Sequence, residues 1–485
     1  MDILFNSRVC LIPVLPDFIT EAIKSELSYT HRKSVRGKES WEKLGKAYGN
    51  VFTRLTFVNV EPDGRLCVPA GFTRRICDML KSFGYNPNPI PHGFASHVPN
   101  WERLKARVKF RESQEETLQT LLSVYHGGVD AAPGYGKGFT IWCLSELLDQ
   151  ATFDVVADSC TVCRQLEEYL EPYIPGVGFF GDGTHRKHPR VNIYSLDSLH
   201  YSDGSADYLV VDEVHTAVAE KASSKFSHYK NSRRIWFSGS PEGRGDNADI
   251  RVEALFGKPV VEIPYQECVR MGLVVNLHVK WLDMDLPFNP LEGITDSHMR
   301  NKLGIWRNVH RNQKFAQAIN ELPAEDQSLV LVSKVEHLCN LFPLLQGYKF
   351  AFGANKQSLQ EAMQWAEMGY LNKSDLEDRA KKNEAMRKDF SRGNLKRVLV
   401  TSIWDTGANF PKLMHVTRTD PSDSNKIKDK QAPSRGSRID DGNKDIAYVH
   451  DAVDRWDQEM YDKSLARRRR YSSQGWEESG WVDRG

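Results

Sequence analysis

The stretch Ala131–Gly138 limits what this chain can fold into more than any other. It reads Ala-Ala-Pro-Gly-Tyr-Gly-Lys-Gly, follows an apolar segment and precedes a helix-like run from Phe139 to Leu148. Glycines let backbone N–H groups converge on phosphate oxygens, the N-terminus of the following helix adds partial positive charge, and the Lys137 ammonium can reach the outer phosphates. The order therefore predicts a phosphate-binding loop at a strand-to-helix junction. Taken alone, a glycine turn before a buried helix explains the stretch equally well.

Two positions of this loop depart from the usual pattern of such loops. Ala131 stands where the first glycine is usual, and Gly138 stands where a serine or threonine hydroxyl normally contacts magnesium. Mg²⁺ keeps several waters and needs only one or two protein carboxylates. We therefore expect Gly138 to be compatible with activity and the substitution Gly138→Ser to be tolerated.

The charge balance of the chain excludes a strong overall attraction to nucleic acid. Among 485 residues, 65 are basic and 64 are acidic, so the net charge is +1, and any basic surface must be local. Three basic runs are candidates for such a surface, and a solvated charged face is the alternative for each. They are His31–Lys38, Arg103–Arg111 and Arg467–Arg470.

The eight cysteines show no spacing typical of a disulfide framework, which indicates a reducing compartment. Cys160 and Cys163 form a lone C-x-x-C pair, and a structural zinc site needs four ligands, so we interpret them as ordinary residues of a strand-to-helix turn. No apolar run is long enough to span a membrane, and the segment after Met1 lacks the features of a signal peptide. We expect a cytoplasmic protein without a membrane partner.

The pattern of apolar residues divides the chain into four segments. Residues 1–86 mix strand-like and helix-like pieces, which predicts a small accessory α+β domain, and the prolines of residues 87–99 predict a linker. Residues 100–285 and 286–485 each alternate short β-rich runs with helical stretches, which is typical of a parallel sheet covered by helices. The predicted fold class is therefore α/β, with two parallel-sheet domains in tandem behind the N-terminal domain.

Polar residues follow the predicted strands of residues 100–285. Asp158 and Ser159, Ser195, Asp212 and Glu213, and Ser238 to Ser240 each come directly after a β-rich run. Ligands of open parallel sheets bind at the carboxyl ends of the strands. One site could therefore collect all of these side chains.

Asp212 and Glu213 directly follow the apolar run Leu209–Val211. Strand alternation is expected to send the two carboxylates to opposite sides of the chain, so that they do different work. Asp212 suits a magnesium ion that bridges the β- and γ-phosphates, and Glu213 suits the polarisation of an attacking water. The alternative interpretation is a strand that ends in surface acids. The phosphate loop upstream argues against this alternative.

Six segments resemble, in order, the motifs of superfamily 2 helicases. The phosphate loop resembles the first motif and Asp212–His215 the second. Phe110–Gln114 resembles the adenine-reading glutamine motif, and Ser238–Pro241 resembles the Ser-Ala-Thr motif with two residues altered. Thr401–Asn409 resembles the fifth motif, and Gln431–Arg438 resembles the sixth, with Ser434 replacing a glycine. By the order and spacing of these segments, the chain is identified as a member of this superfamily.

The resemblance implies a P-loop NTPase with two RecA-like domains, in which ATP and Mg²⁺ bind between the domains and hydrolysis drives movement along nucleic acid. It implies catalytic roles for Lys137, Asp212, Glu213, Arg435 and Arg438, with Asp212 as the magnesium ligand. It assigns ATP binding to Arg111, Gln114, Pro133, Gly134, Tyr135, Gly136, Lys137, Gly138, Gly407, Asn409 and Gln431, and the coupling of hydrolysis to movement to His215, Ser238, Ser240 and Thr401.

The spacing of the sixth segment supports its role. A helix begun by Pro433 would place Arg435 and Arg438 on one face, where two planar guanidiniums suit a developing phosphoryl charge. The alternative to this role is that both arginines lie on the surface of an exposed helix. That alternative leaves Gln431 unexplained.

Within the superfamily, Leu255–Pro264 and Gly272–Val274 are similar to the corresponding stretch of phage recombination and repair DNA helicases of the UvsW type. Those enzymes remodel forks, junctions and displacement loops, and they carry a small substrate-binding domain where this chain has residues 1–86. The similarity implies an ATP-dependent DNA helicase or translocase for replication, recombination or repair. Its contacts with branched or single-stranded DNA would be mainly to phosphates and independent of sequence.

Two alternatives stay open. The first is an RNA helicase of the same fold. The second is a degenerate motor that binds nucleic acid or a partner without turnover, which the altered residues Gly138, Gly239 and Ser240 would suit. Every chemical motif lies beyond residue 109, and few contacts between domains are expected to cross the proline-rich stretch before it. We therefore expect the removal of residues 1–99 to leave a folded ATPase that binds branched DNA poorly.

Overall fold

Contacts divide the chain into two compact units. The first comprises Met1–Ala132 and Gly136–Ile263, and the second comprises Pro133–Tyr135 and Pro264–Gly485. The structure is a computed structural model that describes residues 1–36, 48–132, 134–217, 224–239, 249–404, 410–420, 433–440 and 444–482, with the backbone alone for 31–36, 48–53, 249 and 402.

Among the described residues, the first unit begins with a five-stranded sheet and two α-helices. In spatial order the strands are Asn59–Val60, Leu66–Pro69, Val9–Ile12, Asp2–Phe5 and Asn88–Pro91; the helices are Asp17–Glu26 and Thr73–Ser82; and a separate antiparallel ribbon pairs Ser28–Arg36 with Tyr48–Thr56. Ile19 and Ile23 on the first helix, and Ile76 and Leu80 on the second, are at most 1% exposed. Their spacing of four residues places each pair on one helix face, which packs into the core of this sheet.

Part of the predicted linker is a strand. Asn88–Pro91 pairs in parallel with Asp2–Phe5 at the edge of the N-terminal sheet. Pro89 and Pro91 lack a backbone N–H, and an edge strand tolerates them because one of its sides makes no ladder bonds. The proline-rich stretch therefore completes the N-terminal sheet.

An eight-stranded sheet forms the rest of the first unit. In spatial order its strands are Thr184–Arg186, Gly178–Gly181, Val191–Ser195, Phe153–Ala157, Tyr208–Asp212, Arg233–Ser238, His126–Ala131 and Pro259–Ile263. The described α-helices of this part are Trp101–Lys105, Gln114–Ser123, Lys137–Leu147, Cys160–Leu170 and Asp249–Phe256. Neighbouring strands are parallel except for Thr184–Arg186, which is antiparallel to its neighbour. The β-rich runs predicted here are strands, because continuous apolar runs suit a sheet buried on both faces.

The N-terminal sheet packs directly on the parallel sheet. Arg75 donates twice to the Glu253 carboxylate, with N-to-O distances of 2.8 and 2.5 Å. Arg234, only 3% exposed, donates to Ser7 Oγ at 3.0 Å, and the Ser7 backbone N–H donates to the Lys230 carbonyl at 3.3 Å. The expectation of few contacts between residues 1–99 and the following domain is therefore wrong.

Apolar contacts reinforce this packing. The Phe5 ring meets the Tyr125 ring edge-on, with 5.4 Å between the centroids. Ala254 belongs to the hydrophobic core of the N-terminal sheet. A Cβ on Gly71 would lie 1.8 Å from the Glu253 carbonyl oxygen, so only glycine permits this approach. Sequence patterns could not reveal these contacts, since they join residues far apart in the chain.

Removal of residues 1–99 should therefore destabilise the first unit. The truncation leaves Glu253 without the Arg75 guanidinium and Arg234 without the Ser7 acceptor, and a buried polar group without a partner costs about 1–3 kcal/mol. We expect the truncated chain to aggregate or to melt well below the full chain in circular dichroism.

As a smaller test, Arg75→Ala should lower the melting temperature, whereas Arg65→Ala, which removes a surface ion pair to Asp63, should not. Equal melting of Arg75→Ala and the parent chain would contradict this interface.

The second unit contains a seven-stranded sheet in which neighbouring strands are parallel. In spatial order its strands are Lys349–Ala351, Arg397–Val400, Gln327–Leu331, Leu413–Arg418, Ile446–Val453, Asn276–Asp283 and Glu477–Ser479, and its α-helices are Tyr265–Arg270, Ser297–Asn301, Val309–Asn320, Val335–Leu341, Lys356–Glu367, Arg379–Arg392 and Gln458–Ser473. Its apolar clusters are formed by strand residues such as Val330 and Leu399 together with helix residues such as Phe315 and Phe390.

The strand Asn276–Asp283 belongs to this second sheet. It pairs with Ile446–Val453 along its whole length. The sequence boundary at residue 285 thus falls later than the contact boundary between Ile263 and Pro264. The run itself carries no sign of which sheet it joins, because both sheets are built from similar apolar strands.

The basic runs make ion pairs that their sequences do not reveal. Arg467 is 1% exposed and contacts the Asp451 carboxylate at 3.0 Å. Arg103 and Arg107 share the Glu146 carboxylate at 2.7 and 2.5 Å. Arg467 therefore stabilises the fold, whereas the Arg103 and Arg107 side chains are each 44% exposed and stay at the surface. The side chains of residues 31–38 lie outside the described part of the chain.

The α/β class with two parallel-sheet domains in tandem is confirmed. Over the ranges that the structure describes, no helix combines the length and the apolar character needed to cross a bilayer.

Candidate nucleotide-binding site

The glycine loop joins strand His126–Ala131 to helix Lys137–Leu147, as predicted. Gly134 and Gly136 have φ angles of 110° and 101°, which residues with a side chain rarely adopt. Glycine is thus required at both positions for the chain to enter the helix. Lys137 is the first helical residue, where backbone N–H groups and the helix dipole favour an anion.

The Lys137 ammonium lies against both carboxylates that end strand Tyr208–Asp212. Its Nζ is 2.7 Å from Glu213 Oε1 and 3.8 Å from Asp212 Oδ1, and the three side chains are only 12–22% exposed. Opposite charges attract more strongly when water is largely excluded. The loop lysine and the two acids therefore form one charged cluster.

Asp212 and Glu213 do not lie on opposite sides of the chain, contrary to the expectation from strand alternation. The strand ends at Asp212, and Glu213 has a left-handed φ of 51° that brings its carboxylate to the same ammonium. Such a backbone conformation costs on the order of 1 kcal/mol for a residue with a side chain and is concentrated at functional sites.

The surroundings separate the two carboxylates in acidity. Burial raises the pKa of Asp212 to about 6, against the pull of the Lys137 charge. Burial also opposes ionisation of Glu213, yet Lys137, His215 and Ser238 together hold its pKa below the usual value. An ionised Glu213 can accept a proton or orient a water, and Asp212 would ionise more readily beside a cation.

Ser238 connects Glu213 to His215. Its hydroxyl donates to Glu213 Oε2 at 3.2 Å and lies 3.1 Å from His215 Nδ1. Ser238 is fully buried at the end of strand Arg233–Ser238, which neighbours Tyr208–Asp212. This hydrogen bond therefore connects the Glu213 carboxylate to the end of the adjacent strand.

The predicted glutamine motif lies beside the loop. Gln114 is 4% exposed, and its Oε1 accepts a hydrogen bond of 2.9 Å from the Arg111 backbone N–H. A Cβ on Gly136 would lie 3.4 Å from Gln114 Nε2. Ser113 has a left-handed φ of 65° just before the helix that Gln114 begins. The glutamine is thus held within reach of the loop.

Tyr169 fills the space beside Gly138. A Cβ on Gly138 would lie 3.0 Å from Tyr169 Cδ1 and 3.3 Å from Cε1. Tyr169 belongs to helix Cys160–Leu170 and is 40% exposed. No pattern in the sequence singled it out, because the contact joins two separate helices. The unusual glycine of the loop thus accommodates an aromatic ring.

The substitution Gly138→Ser should accordingly destabilise the chain modestly, rather than be neutral. The Tyr169 ring must shift, and because it is partly exposed we expect a cost of about 1 kcal/mol, at the low end for overpacking. The same substitution should cost less in a Tyr169→Ala background. Denaturant unfolding of the four chains of this double-mutant cycle measures the difference, and equal costs in both backgrounds would contradict the contact.

The sixth segment forms only a short turn in the second unit. A 3₁₀ helix spans Pro433–Ser437 and contains Arg435, which is 7% exposed, while Arg438 follows the end of the turn. A single helical face for both arginines is therefore wrong, since the helix ends before Arg438. Thr401 is buried directly after strand Arg397–Val400.

The functional roles of all predicted site residues remain predictions, and five of these residues lie outside the described ranges. These five are Pro133, Ser240, Gly407, Asn409 and Gln431.

The residues around Lys137 fit a magnesium nucleotide. Mg²⁺ is bound by oxygen, usually from one or two carboxylates together with phosphates and waters. Asp212 supplies one carboxylate, and Asp158 Oδ1 is buried and has no hydrogen-bond partner among the residues that the structure describes. Within the described ranges no group of three or more His, Cys, Asp or Glu residues is arranged to hold a metal by itself. Phosphate and water oxygens would therefore complete the coordination.

Residues 107–243 match the family described as Type III restriction enzyme, res subunit. The matched segment contains Lys137, Asp212, Glu213 and Ser238. No curated protein matches the chain.

Solved structures match most of the chain at low sequence identity. A fragment described as an HsdR subunit of a type I restriction enzyme from Vibrio vulnificus YJ016 aligns with a TM-score of 0.53 and 14% identity, over 86% of this chain and 74% of that one. The ATP-dependent Type ISP restriction-modification enzyme LlaBIII bound to DNA aligns with a TM-score of 0.50 and 13% identity, over 83% of this chain and 33% of that one. T4 UvsW aligns with a TM-score of 0.43 and 14% identity, over 99% of both chains. The chain therefore has the fold of the first two of these enzymes, with two RecA-like parallel-sheet domains in tandem.

Proposed function

We propose that the chain is an ATP-dependent DNA helicase or translocase that remodels branched DNA. The observation that carries this proposal is the line of contacts from Lys137 through Glu213 to Ser238 and His215. It links a phosphate-loop lysine to a carboxylate suited to water activation and then to a neighbouring strand. The fold and the matched family support the same reading.

In this proposal the ion pair between Lys137 and Glu213 opens when ATP binds. Phosphate oxygens compete for the Lys137 ammonium, which releases the Glu213 carboxylate to orient the attacking water and accept its proton. Magnesium held by Asp212 would neutralise charge on the transferred phosphoryl group. Because Ser238 donates to Glu213, the release also changes the contacts of the adjacent strand.

The remaining site residues bind and sense the nucleotide. Gln114 recognises adenine beside the loop, and Arg435 and Arg438 stabilise the charge of the transferring phosphate. His215, Ser238 and, further on, Thr401 couple hydrolysis to movement.

Support for DNA as the substrate comes from LlaBIII, which was solved bound to DNA. An RNA substrate is the second candidate. A motor without turnover is the third, motivated by the glycines at positions 138 and 239.

Glu213→Gln should keep nucleotide binding and nearly stop hydrolysis. Glutamine is similar in size and can still accept a hydrogen bond from Lys137, but it cannot take a proton from water. Turnover should fall about 10²–10⁴-fold, as expected for loss of a general base, with nucleotide affinity within a few-fold. Glu168→Gln, which alters an exposed carboxylate in the same unit, is the control and should hydrolyse normally. Parental turnover in Glu213→Gln would remove Glu213 from the mechanism.

The substrate is tested with a panel of labelled nucleic acids. Forked, four-way, displacement-loop and simple duplex DNA, together with an RNA duplex, are incubated with the full chain, ATP and Mg²⁺, and strand products are resolved on gels. We expect ATP-dependent conversion of the branched DNAs and little of the simple duplexes. Conversion of RNA alone would favour the second candidate, and no conversion together with no ATP turnover would favour the third.

A further inference from the structure

Asp158 lies at the same sheet edge as the acids of the candidate site. It follows strand Phe153–Ala157, which neighbours Tyr208–Asp212, and the two strands are paired in register at Val156 and Val211. Neighbouring strands are about 4.8 Å apart. The backbones of Asp158 and Glu213, each two residues beyond a paired valine, therefore leave the sheet side by side.

The Asp158 carboxylate is incompletely satisfied by the protein. Its Oδ1 is buried and makes no hydrogen bond within the described part of the chain. Burial raises the pKa of Asp158, the Ser159 hydroxyl opposes this rise, and the Glu213 charge adds to it. Asp158 is likewise among the charges that raise the pKa of Asp212. The three carboxylates therefore lie within electrostatic reach of one another.

Such an arrangement does not stabilise the fold by itself. A buried oxygen without a partner costs about 1–3 kcal/mol, and three neighbouring carboxylates repel each other. The Lys137 ammonium contacts Glu213 at 2.7 Å and Asp212 at 3.8 Å. A divalent cation would compensate the remaining negative charge.

The phosphate loop lacks an oxygen where one is usual. Gly138 has no side chain, and the Tyr169 ring lies within 3.0–3.5 Å of the position that a Cβ would occupy. The usual hydroxyl is thus missing from the loop, while an additional carboxylate oxygen is present at the end of a nearby strand.

We propose that Asp158 positions the magnesium ion of the nucleotide site together with Asp212, in place of the hydroxyl that Gly138 lacks. This inference rests on the proposed function, since it takes the site to bind a magnesium nucleotide.

The test measures metal binding rather than turnover. Free Mn²⁺ is followed by electron paramagnetic resonance while the full chain is titrated with Mn²⁺ in the presence of a non-hydrolysable ATP analogue. We expect Asp158→Asn to weaken Mn²⁺ binding by about 10–100-fold, the range seen when a group supporting a metal site is removed. Binding of the analogue without metal should be unchanged or tighter, because one negative charge is removed.

Asp197→Asn is the matched control. Asp197 follows strand Val191–Ser195, which flanks Phe153–Ala157 on its other side, but its carboxylate is 98% exposed and contacts Lys225 at 2.8 Å. The same loss of charge at the same sheet edge should leave Mn²⁺ affinity unchanged.

The outcomes separate this inference from the proposed function. If the parent chain shows no Mn²⁺ binding that depends on the analogue, the nucleotide site itself fails. If the parent binds and Asp158→Asn binds within twofold of it, only the role of Asp158 is overturned. Without metal, the melting temperatures of Asp158→Asn and of a second variant, Asp158→Ser, should be equal to or higher than that of the parent chain. A large fall in both variants would show a structural role and would also overturn the inference.

Discussion

Replacing Lys137 by alanine should abolish most ATP hydrolysis. In this loop Lys137 supplies the compact cation at the N-terminus of the helix, and its Nζ already contacts the carboxylate proposed to activate water, at 2.7 Å. Loss of one preorganised electrostatic donor typically lowers turnover by about 10²–10³-fold. We expect at least this loss in a steady-state phosphate-release assay, together with weaker nucleotide binding.

Lys225→Ala provides a matched control for this substitution. Lys225 contacts Asp197 at 2.8 Å in the same unit, but outside the loop. The control should keep parental turnover and stability. Hydrolysis by Lys137→Ala at the rate of the control would show that the loop does not bind the transferred phosphate.

Replacing Arg435 by alanine should lower turnover even more sharply. Arginines that serve a transferring phosphate are worth about 10³–10⁵ in rate in related NTPases. Arg435 is 7% exposed, so its loss can also affect packing. The measurement therefore pairs turnover with melting temperature, and Arg435→Lys tests whether charge alone suffices, which the planar guanidinium geometry argues against.

Arg392→Ala is the control for the arginine prediction. Arg392 is exposed at the end of helix Arg379–Arg392 in the same unit, so its removal should change neither quantity. A large fall in melting temperature for Arg435→Ala with unchanged turnover per folded molecule would make Arg435 a structural residue.

The sequence predicted those features that depend on local pattern. The glycine loop was predictable because a strand, two turn-forming glycines and a helix N-terminus follow each other within a few residues. The strands of both parallel sheets were predictable because their continuous apolar runs are buried on both faces. The position of Asp212 at a strand end follows from the same pattern.

The features that depend on tertiary contact could not be predicted in this way. Alternation placed Asp212 and Glu213 on opposite sides, but the left-handed φ of Glu213 overrides it. The contact of Tyr169 with Gly138 joins two helices that no periodicity relates. The ion pair of Arg75 with Glu253, which joins the N-terminal sheet to the part of the chain that contains the eight-stranded sheet, links residues that are remote in the chain.

ATP hydrolysis by the full chain, with and without single-stranded DNA, tests the central claim most directly. Saturating Mg²⁺ and ATP are used, and the Glu213→Gln variant is measured in parallel. We expect a basal rate in the parent that DNA increases several-fold and that falls as salt rises, because the proposed contacts are to phosphates, with almost no hydrolysis by the variant. No hydrolysis by the parent in either condition, or equal rates for parent and variant, would contradict a nucleic-acid motor that uses this site.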